Sequence, residues 1–403
     1  MQGQKQNKST VSERIINIAT VAVVIGIAAI LIAMFTTEGL QREIQKKTSV
    51  FNGHILVTSF ENNESQVSLL PFEDSQQLRN QISEDENLER LHGIAIKAGM
   101  LKTKNDFEGF LLKGVSEDFD WSSLTSFLTQ GSFPDTKKES VTNEILISET
   151  MADRLGLSLG QKVEAFFQSK TREGLTLKKR RFTIVGMYFS GFPDIDQNLI
   201  YADIRQVQRL NQWNKSQIGG YELFVNDFHE VELTANRIYE RLPSELNSSS
   251  ITDRFSGIFQ WIALFDFNVL IILIVMLLVG VINMATALLV LILERSRMIG
   301  LLKALGANNT LVQKIFLYNG TVIMMQGLFW GNLIGLGFYF SQNYWGWIRL
   351  DPAAYFVSQA PVYINGFHVI FVNLFFLGIS TLLLWIPSKI ILRISPSRVL
   401  RYR

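Results

Sequence analysis

The 403-residue sequence contains no cysteine. A disulfide framework, a thiolate metal site and a cysteine nucleophile are therefore excluded. The sequence also has no G-x-x-x-x-G-K-[ST] segment, so it offers no P-loop for binding ATP. The histidines are scattered rather than spaced as metal ligands, and they are His54, His92, His229 and His368. Because no Ser/His/Asp set is evident either, we predict no catalytic residue, no cofactor-binding residue and no metal site in this chain.

Charge is missing from four long apolar runs, residues 15–37, 267–293, 315–340 and 369–387. Each run is long enough to cross a bilayer as a helix. An ion or proton path usually places a charged side chain near the centre of a span, so their absence disfavours a proton- or sodium-driven transporter. Only 47% of all residues are hydrophobic, which predicts a sizeable soluble part beside the spans. The net charge of +2 gives no indication of nucleic-acid binding.

The distribution of Lys and Arg predicts the orientation of the spans. These residues accumulate in the N-terminal segment, in the segment 294–314 and in the tail, whereas the segment after the third run has only Arg349. The positive-inside rule then places both termini and the 294–314 loop in the cytosol. The first run is too long for a signal-peptide core and no small-residue cleavage site follows it, so we interpret it as a retained anchor.

The sequence thus predicts an α+β membrane protein with four transmembrane helices and a large mixed α/β extracytoplasmic domain between the first two. Strand periodicity is present in "GHILVTSF", "EILIS", "KVEAFFQ" and "RFTIVGMYF", and helical spacing in "ISETMADRLGL" and "DIRQVQRLNQW". The Ser/Asn-rich "ELNSSSI" is typical of a linker. The predicted parts are a cytosolic segment 1–14, helix 15–37, the extracytoplasmic domain 38–261, helix 262–293, a cytosolic loop 294–312, helix 313–341, a short extracytoplasmic loop 342–366, helix 367–388 and a cytosolic tail 389–403.

A short amphipathic stretch, "ERSRMIGLLKALGA", follows the second run. Its apolar residues fall at i, i+3, i+4 and i+7 on one face of a helix, and they are Met298, Leu301, Leu302 and Leu305. Gly306 stands where a helix-ending glycine belongs, and Thr310 with Gln313 has capping-box spacing for the next helix. Pattern alone leaves two interpretations open: a helix lying on lipid headgroups, or a helix that docks into a groove on a partner.

The same stretch resembles the cytosolic coupling segment of FtsX-like ABC permeases. The matching residues are Glu294, Arg295, Ile299, Gly300, Lys303, Ala304, Gly306 and Ala307. Further segments resemble, in order, the LolC/LolE branch of that family, the permeases of lipoprotein release: "EGLQREI", "NEILISETMADRLGLSLGQKV", "LDPAAYFVSQAPV" and "ISPSRVL". The resemblance covers almost the whole chain.

This resemblance implies a type VII, MacB-like ABC permease of the bacterial inner (cytoplasmic) membrane. Such a chain is a mechanotransmission subunit that uses ATP hydrolysis by a separate ATPase to release lipoproteins toward the outer membrane. The implied partners are LolD-like ABC ATPase subunits that hold ATP and Mg, a second permease subunit in a homo- or heterodimer, the lipoprotein, membrane lipids and a LolA-like periplasmic carrier. The implied ATPase-coupling residues are Glu294, Arg295, Met298, Ile299, Gly300, Leu301, Leu302, Lys303, Leu305 and Gly306.

Other functions remain as alternatives. Within the same superfamily these are a MacB-type efflux permease and an FtsX-type signalling permease. A receptor-like membrane protein without any ATPase is the alternative from another class.

One segment departs from the resemblance. Relatives that recruit a carrier have a long, proline-containing hook between two strands, whereas the matching interval here is the short, basic "SKTREGLTLKKR". Its simpler interpretation is a solvated hairpin tip with Gly174 at the turn. The alternative is a carrier-binding hairpin with the cations Lys178, Lys179, Arg180 and Arg181.

The spans contain two further features. Gly327, Gly331 and Gly335 repeat every fourth residue, which predicts close helix packing rather than substrate contact. Apolar residues of the first two spans are candidates for a substrate cavity that holds acyl chains, although core packing explains them equally well. They are Met34, Phe35, Phe265 and Met276.

Overall fold

The computed structural model describes residues 3–62, 65–102, 107–171 and 174–389. Most of the cytosolic tail predicted at 389–403 therefore lies outside the described residues, as do Arg172 and Glu173 of the basic hairpin. The α-helices are α1 Gly3–Asn52, α2 Gln76–Ser83, α3 Glu149–Leu155, α4 Pro193–Asn198, α5 Ile204–Asn211, α6 Val231–Arg241, α7 Ile251–Arg254, α8 Ser256–Glu294, α9 Ser296–Ala304, α10 Asn309–Trp345, α11 Pro352–Tyr355 and α12 Gly366–Ser388.

Four helices of the described chain are long and apolar enough to cross a membrane: α1, α8, α10 and α12. The predicted fold class is confirmed. The first two helices extend well beyond the apolar runs, since α1 continues to Asn52 and α8 begins at Ser256. No proline interrupts residues 38–52, and the left-handed Gly53 (φ 68°) is the first residue after the helix.

The described residues divide into two compact units. The membrane unit comprises residues 3–42, 261–349 and 359–389, and the α/β unit comprises residues 43–260 and 350–358. The segment 350–358, which the sequence analysis assigned to a short loop after the third span, thus belongs to the α/β unit. Its Phe356 stacks on Phe192 with ring centroids 4.7 Å apart, and Lys47 Nζ donates to the Phe356 carbonyl at 3.2 Å.

The membrane unit is built around α1, whose apolar residues form the centre of its core. The three glycines of α10 pack against α1, which confirms the predicted close helix packing. A Cβ added at Gly331 would stand 2.8 Å from Ile27 Cβ. A Cβ added at Gly327 or Gly335 would be similarly close to Val23 or Leu31, respectively. Asn332 of α10 and Asn373 of α12 donate hydrogen bonds to each other at 2.6 and 2.9 Å. Small residues and paired amides therefore join these spans.

The α/β unit contains a large mixed sheet and a two-stranded one. The strands are β1 Ile55–Ser59, β2 Phe72–Glu73, β3 Leu88–Lys102, β4 Phe107–Val115, β5 Leu128–Gly131, β6 Glu144–Ser148, β7 Lys162–Thr171, β8 Gly174–Tyr188, β9 Leu199–Asp203, β10 Gln217–Ile218, β11 Gly220–Val225 and β12 Leu246–Ser250. The large sheet has the order β12-β1-β11-β3-β4-β9-β6-β8-β5, and β10 pairs with β2.

Strand β7 pairs with both β3 and β8, which closes the strands β3-β4-β9-β6-β8-β7 into a ring. Two pairs in this ring, β4 with β9 and β6 with β8, are parallel. Apolar side chains of these strands and of the flanking helices α2, α3, α5 and α6 form one continuous core. The predicted strands in "EILIS" and "KVEAFFQ" and the helix in "DIRQVQRLNQW" all contribute to it.

The prediction of a linker in "ELNSSSI" is wrong. Residues 246–250 form β12, which pairs antiparallel with β1 from Leu246 opposite Ser59 to Ser250 opposite Ile55. Leu246 and Ser250 are buried, and Ser250 accepts a hydrogen bond from the Asp253 amide as the N-cap of α7. The small polar residues of this segment have little strand propensity of their own. Their backbone hydrogen bonds to β1 nevertheless hold them in a strand, so tertiary context overrides the local pattern.

A partly buried histidine makes the stability of the α/β unit depend on pH. His54 Nδ1 accepts a hydrogen bond from the Val225 amide at 2.8 Å. Burial and then the charge of Arg90 lower the pKa of His54 from 6.5 to about 4. Because the folded pKa is depressed, the unfolded chain binds the proton more readily, and stability present above pH 6.5 is lost as the pH falls towards 4.

We expect the thermal unfolding midpoint of the full chain in detergent to fall across this pH window. The variant His54→Asn keeps an oxygen acceptor near the Val225 amide but cannot take up the proton. Its midpoint should therefore change less with pH than that of the wild type. An identical pH dependence in the two proteins would show that another group is responsible.

Candidate functional site

The amphipathic stretch forms the short helix α9 between two spans. It follows α8 after Arg295, and it ends in a left-handed turn at Gly306 (φ 94°). The Ala307 amide donates to the Leu302 carbonyl at 2.9 Å and the Gly306 amide to the Lys303 carbonyl at 3.1 Å. These two bonds are those of a Schellman motif, so the predicted helix-ending role of Gly306 is confirmed.

The start of the next helix differs from the prediction. Asn308, not Thr310, is the N-cap of α10, because its Oδ1 accepts the Leu311 amide at 2.8 Å. Thr310 donates its hydroxyl to the same oxygen, and Gln313 is buried, where it donates to Ser388 Oγ at 2.7 Å. An Asn is as good an N-cap as Thr, and its position immediately before the helix decides between them.

The coupling residues divide between two faces of α9. Ile299 and Gly300 are buried, and Ile299 packs in a small cluster with residues of α8 and α10. Leu302 is only partly buried. On the other face Met298, Leu301 and Leu305 are 40%, 54% and 78% exposed. The described chain therefore presents these last three apolar side chains, at i, i+3 and i+7, to its surroundings.

The charged coupling residues flank this exposed stripe. Glu294 and Arg295 are exposed at the junction of α8 and α9, and Lys303 lies in the last turn of α9. A basic side chain in the last turn complements the negative end of a helix dipole. The surface of α9 thus combines an apolar stripe with charge at both ends, which suits a protein partner as well as a lipid surface.

The substrate-cavity candidates occupy different environments. Met34 and Phe35 of α1 are buried in the helix-packing core of the membrane unit, and Met276 of α8 is partly buried against the same core. Phe265 packs edge-on against Trp261 with ring centroids 5.0 Å apart. Within the single chain Met34 and Phe35 act as packing residues, and their role in a cavity stays a prediction.

The basic segment forms a hairpin of two paired strands, with Gly174 in the last described pair before the turn. Residues 162–171 of β7 pair with residues 174–183 of β8. Glu164 pairs with both Lys179 Nζ at 2.7 Å and Arg181 Nη2 at 3.1 Å. Lys178 Nζ instead donates to the Leu210 carbonyl at 3.2 Å, near the end of α5. Strand alternation therefore places Lys178 and Arg180 on one face and the two Glu164-paired cations on the other.

A groove of about 430 Å³ lies beside this hairpin in the α/β unit. It is lined by Ala98, Gly99, Met100, Phe166, Gln168, Thr176 and Leu177. Leu177 is 66% exposed at its edge. No sequence pattern indicated this groove, because its walls come from strands distant in the chain.

Sequence reasoning also missed a set of polar contacts around residues 38–42 of α1. The Glu38 carboxylate is hydrogen-bonded to His368 Nδ1 of α12, and Gln41 donates to Asp266 Oδ1 of α8 at 2.9 Å. The guanidinium of Arg42 lies 3.6 Å from the ring centroid of Tyr363. These contacts join α1 to two other spans just beyond the apolar run.

Two family models match the sequence. Residues 18–239, more than half of the chain, match the MacB-like periplasmic core domain, and residues 270–396 match the FtsX-like permease C-terminal model. The lipoprotein-releasing system transmembrane protein LolC of Haemophilus influenzae is 22% identical over 409 residues, which cover 96% of this chain and 93% of that protein. LolE of the same organism is 18% identical over 408 residues, covering 98% and 96%.

Among solved structures, this chain is similar to the periplasmic region of MacB from Actinobacillus actinomycetemcomitans. The similarity covers 51% of this chain and 91% of the MacB chain, with 13% sequence identity and a TM-score of 0.35. The four spans and the inserted α/β unit define a multi-pass membrane protein with one large soluble part. The chain belongs to the family of FtsX-like permeases with a MacB-like periplasmic core domain.

Proposed function

We propose that this protein is the permease subunit of an ABC transporter that releases lipoproteins from the bacterial inner membrane. A separate ATPase subunit would hold ATP and Mg and supply the energy, and a second permease chain would complete the pair of membrane subunits. Nearly full-length relatives named as LolC and LolE, proteins of a lipoprotein-releasing system, support this assignment.

The observation that carries the proposal is the exposed apolar stripe of α9. A helix held by Ile299 in its own chain, with Met298, Leu301 and Leu305 left uncovered, is preorganised to enter a groove on a partner. Because the sequence has no P-loop, an ATPase partner is what a transporter built from this chain requires. Contact with that ATPase also accounts for the charges at both ends of the stripe.

The proposed orientation places α9 in the cytosol and the α/β unit on the periplasmic side. The basic residues around α9 favour this orientation. On the periplasmic side, the basic hairpin is the candidate surface for a soluble carrier. Its exposed cations are Lys179 and Arg181, whose side chains are 52% and 65% exposed, whereas Lys178 is engaged with the Leu210 carbonyl.

The orientation is tested with single cysteines, which the cysteine-free sequence makes straightforward. Lys215 and Asn309 are both exposed, whereas Ser169 is buried and unsuitable for labelling. We expect an impermeant maleimide to label Lys215→Cys on the outside of spheroplasts and to label Asn309→Cys only after permeabilisation. The opposite pattern would refute the orientation.

The function is tested by reconstitution. The permease, its ATPase and a triacylated lipoprotein are placed in proteoliposomes, and soluble lipoprotein is measured after ATP is added with an acceptor protein present. ATP-dependent release is the expected result. ATP hydrolysis stimulated by small amphiphilic drugs without lipoprotein release would instead indicate an efflux permease. The absence of any ATPase that binds the chain would indicate a receptor-like protein.

A further inference from the structure

The C-terminal end of α1 is held by two cations of the α/β unit. The last carbonyls of a helix have no partner within the helix. Lys113 Nζ of β4 donates to the Phe51 carbonyl at 2.7 Å, and Arg254 Nη1 of α7 donates to the Asn52 carbonyl at 3.1 Å. Both positive charges therefore lie at the negative end of the helix dipole.

One of these cations belongs to a buried charge cluster on three neighbouring strands. Lys113 Nζ lies 2.6 Å from Glu222 Oε1 of β11, and Glu222 Oε2 lies 3.1 Å from His92 Nε2 of β3. All three side chains are at most 3% exposed. Burial alone would raise the pKa of Glu222, but Lys113 and His92 outweigh it and lower that pKa to about 2. Glu222 is thus a carboxylate at neutral pH and the counterion of Lys113.

Stability alone does not explain why a lysine occupies this site. A buried ion pair can often be replaced by apolar residues of similar volume without loss of stability. Apolar burial is already present, because Phe51 packs against Phe127 and Tyr188 with ring centroids 5.2 and 5.5 Å away. A methionine at position 113 would fill the space but could not donate to the Phe51 carbonyl. What the ammonium adds is a fixed position for the end of the helix.

The surroundings leave little room for the helix end to shift. Gly53 has the left-handed backbone that ends α1, and a Cβ there would stand 2.9 Å from Glu222 Cβ. The next residue, His54, donates its amide to the Leu223 carbonyl at 2.8 Å and so enters the sheet directly. The chain passes from a membrane-spanning helix into a β-sheet without a flexible linker.

We propose that Lys113 is a positioning residue that locks the end of α1 to the sheet, so that a displacement of the first span is passed to the α/β unit instead of being absorbed at the helix end. The proposal rests on the proposed function, because it specifies where a mechanotransmitting permease transfers movement. Lys113 of β4 makes the hydrogen bond to the helix. Glu222 and His92 connect Lys113 to β11 and β3, so that three strands hold the end of the helix.

The test uses the double variant Lys113→Met with Glu222→Gln in the full chain, in nanodiscs. Removing both charges together leaves neither member of the Lys113–Glu222 pair buried without its partner, and the amide at position 222 can still bond His92. Nitroxide labels on Lys46→Cys of α1 and Lys162→Cys of β7, both exposed, report the distance between helix and sheet by pulsed electron paramagnetic resonance. The expected result is a broader distance distribution than in the labelled parent, with release by the reconstituted complex lost while ATP hydrolysis continues.

A control removes a different ion pair of the same unit, in which Asp85 is buried and Arg237 is 40% exposed. Asp85 and Arg237 form an ion pair at 2.7 Å that does not involve α1. The variant Asp85→Asn with Arg237→Gln should leave both the distance distribution and the coupling of hydrolysis to release unchanged. Broadening in this control as well would overturn a specific role for Lys113.

A second variant covers the case in which the double variant does not fold. Arg254→Met removes the other cap from a partly exposed position and should broaden the same distribution to a smaller extent. Unchanged distributions in the folded variants would overturn the proposal. The distance measurement needs no ATPase, so a failure of the proposed function, seen as no release by the wild-type complex, is separate from a failure of this inference.

Discussion

Replacing Leu301 by Asp should abolish binding of the ATPase subunit to the permease. Leu301 is 54% exposed in the middle of the α9 stripe, so the substitution puts no charge into the core of the chain itself. In the complex the carboxylate would be buried without a partner, which costs several kcal/mol. Since each 1.4 kcal/mol is about tenfold in affinity, we expect a loss of at least about 100-fold. The measurement is co-purification of the ATPase at equal membrane levels of permease.

The matched control is Leu159→Asp, which introduces the same charge at an exposed leucine of the α/β unit. It should leave ATPase binding unchanged. Leu302, which the sequence pattern placed on the same face as Leu301, is the poorer choice because it is partly buried within its own chain. If the ATPase stays bound to Leu301→Asp and its turnover still drives release, α9 lies on the lipid surface instead.

Replacing Gly331 by Leu should prevent assembly of the membrane unit. A Cβ at this position would stand 2.8 Å from Ile27 Cβ and 3.0 Å from the Val24 carbonyl oxygen, and the rest of the side chain has no space. Helix α1 would have to move away along the whole glycine face of α10. Overpacking lowers the free energy of unfolding by about 1–3 kcal/mol or more. Here the displacement of α1 also removes the contacts of Val23 and Leu31 with the glycine face. The yield of monodisperse protein after detergent extraction should fall sharply.

The control for this substitution lies on the same helix. A Cβ at Gly337 meets no atom of the described chain within 4 Å, so Gly337→Leu should give a normal yield and elution profile. A normal profile for Gly331→Leu would mean that α1 and α10 are not packed as described. A low yield for both variants would point to a general intolerance of bulk in α10.

Sequence pattern predicted the features that depend on local chemistry. Apolar length identified the four spans, and strand periodicity identified β6, β7 and β8. The four-residue glycine repeat correctly indicated helix packing, and Gly306 correctly indicated the end of α9. Each of these signals lies within one element, so no knowledge of the rest of the fold was needed.

The features that sequence pattern missed depend on partners distant in the chain. Strand β12 looks like a linker because its pairing with β1 supplies the order that Ser and Asn do not. The helical spacing of Leu302 matched that of Leu301, but Leu302 is partly buried within its own chain, which the spacing does not show. Lys113 did carry a signal, since it interrupts the apolar strand "FLLKGV", yet its partner Glu222 could be identified only from the fold.

The most direct test of the proposed function is to purify the wild-type chain from its native membranes in mild detergent and to identify by mass spectrometry what accompanies it. We predict a P-loop ATPase in stoichiometric amount, a second permease chain and triacylated lipoprotein. Purification of the chain with neither an ATPase nor a lipoprotein, from membranes where it is fully folded, would contradict the assignment.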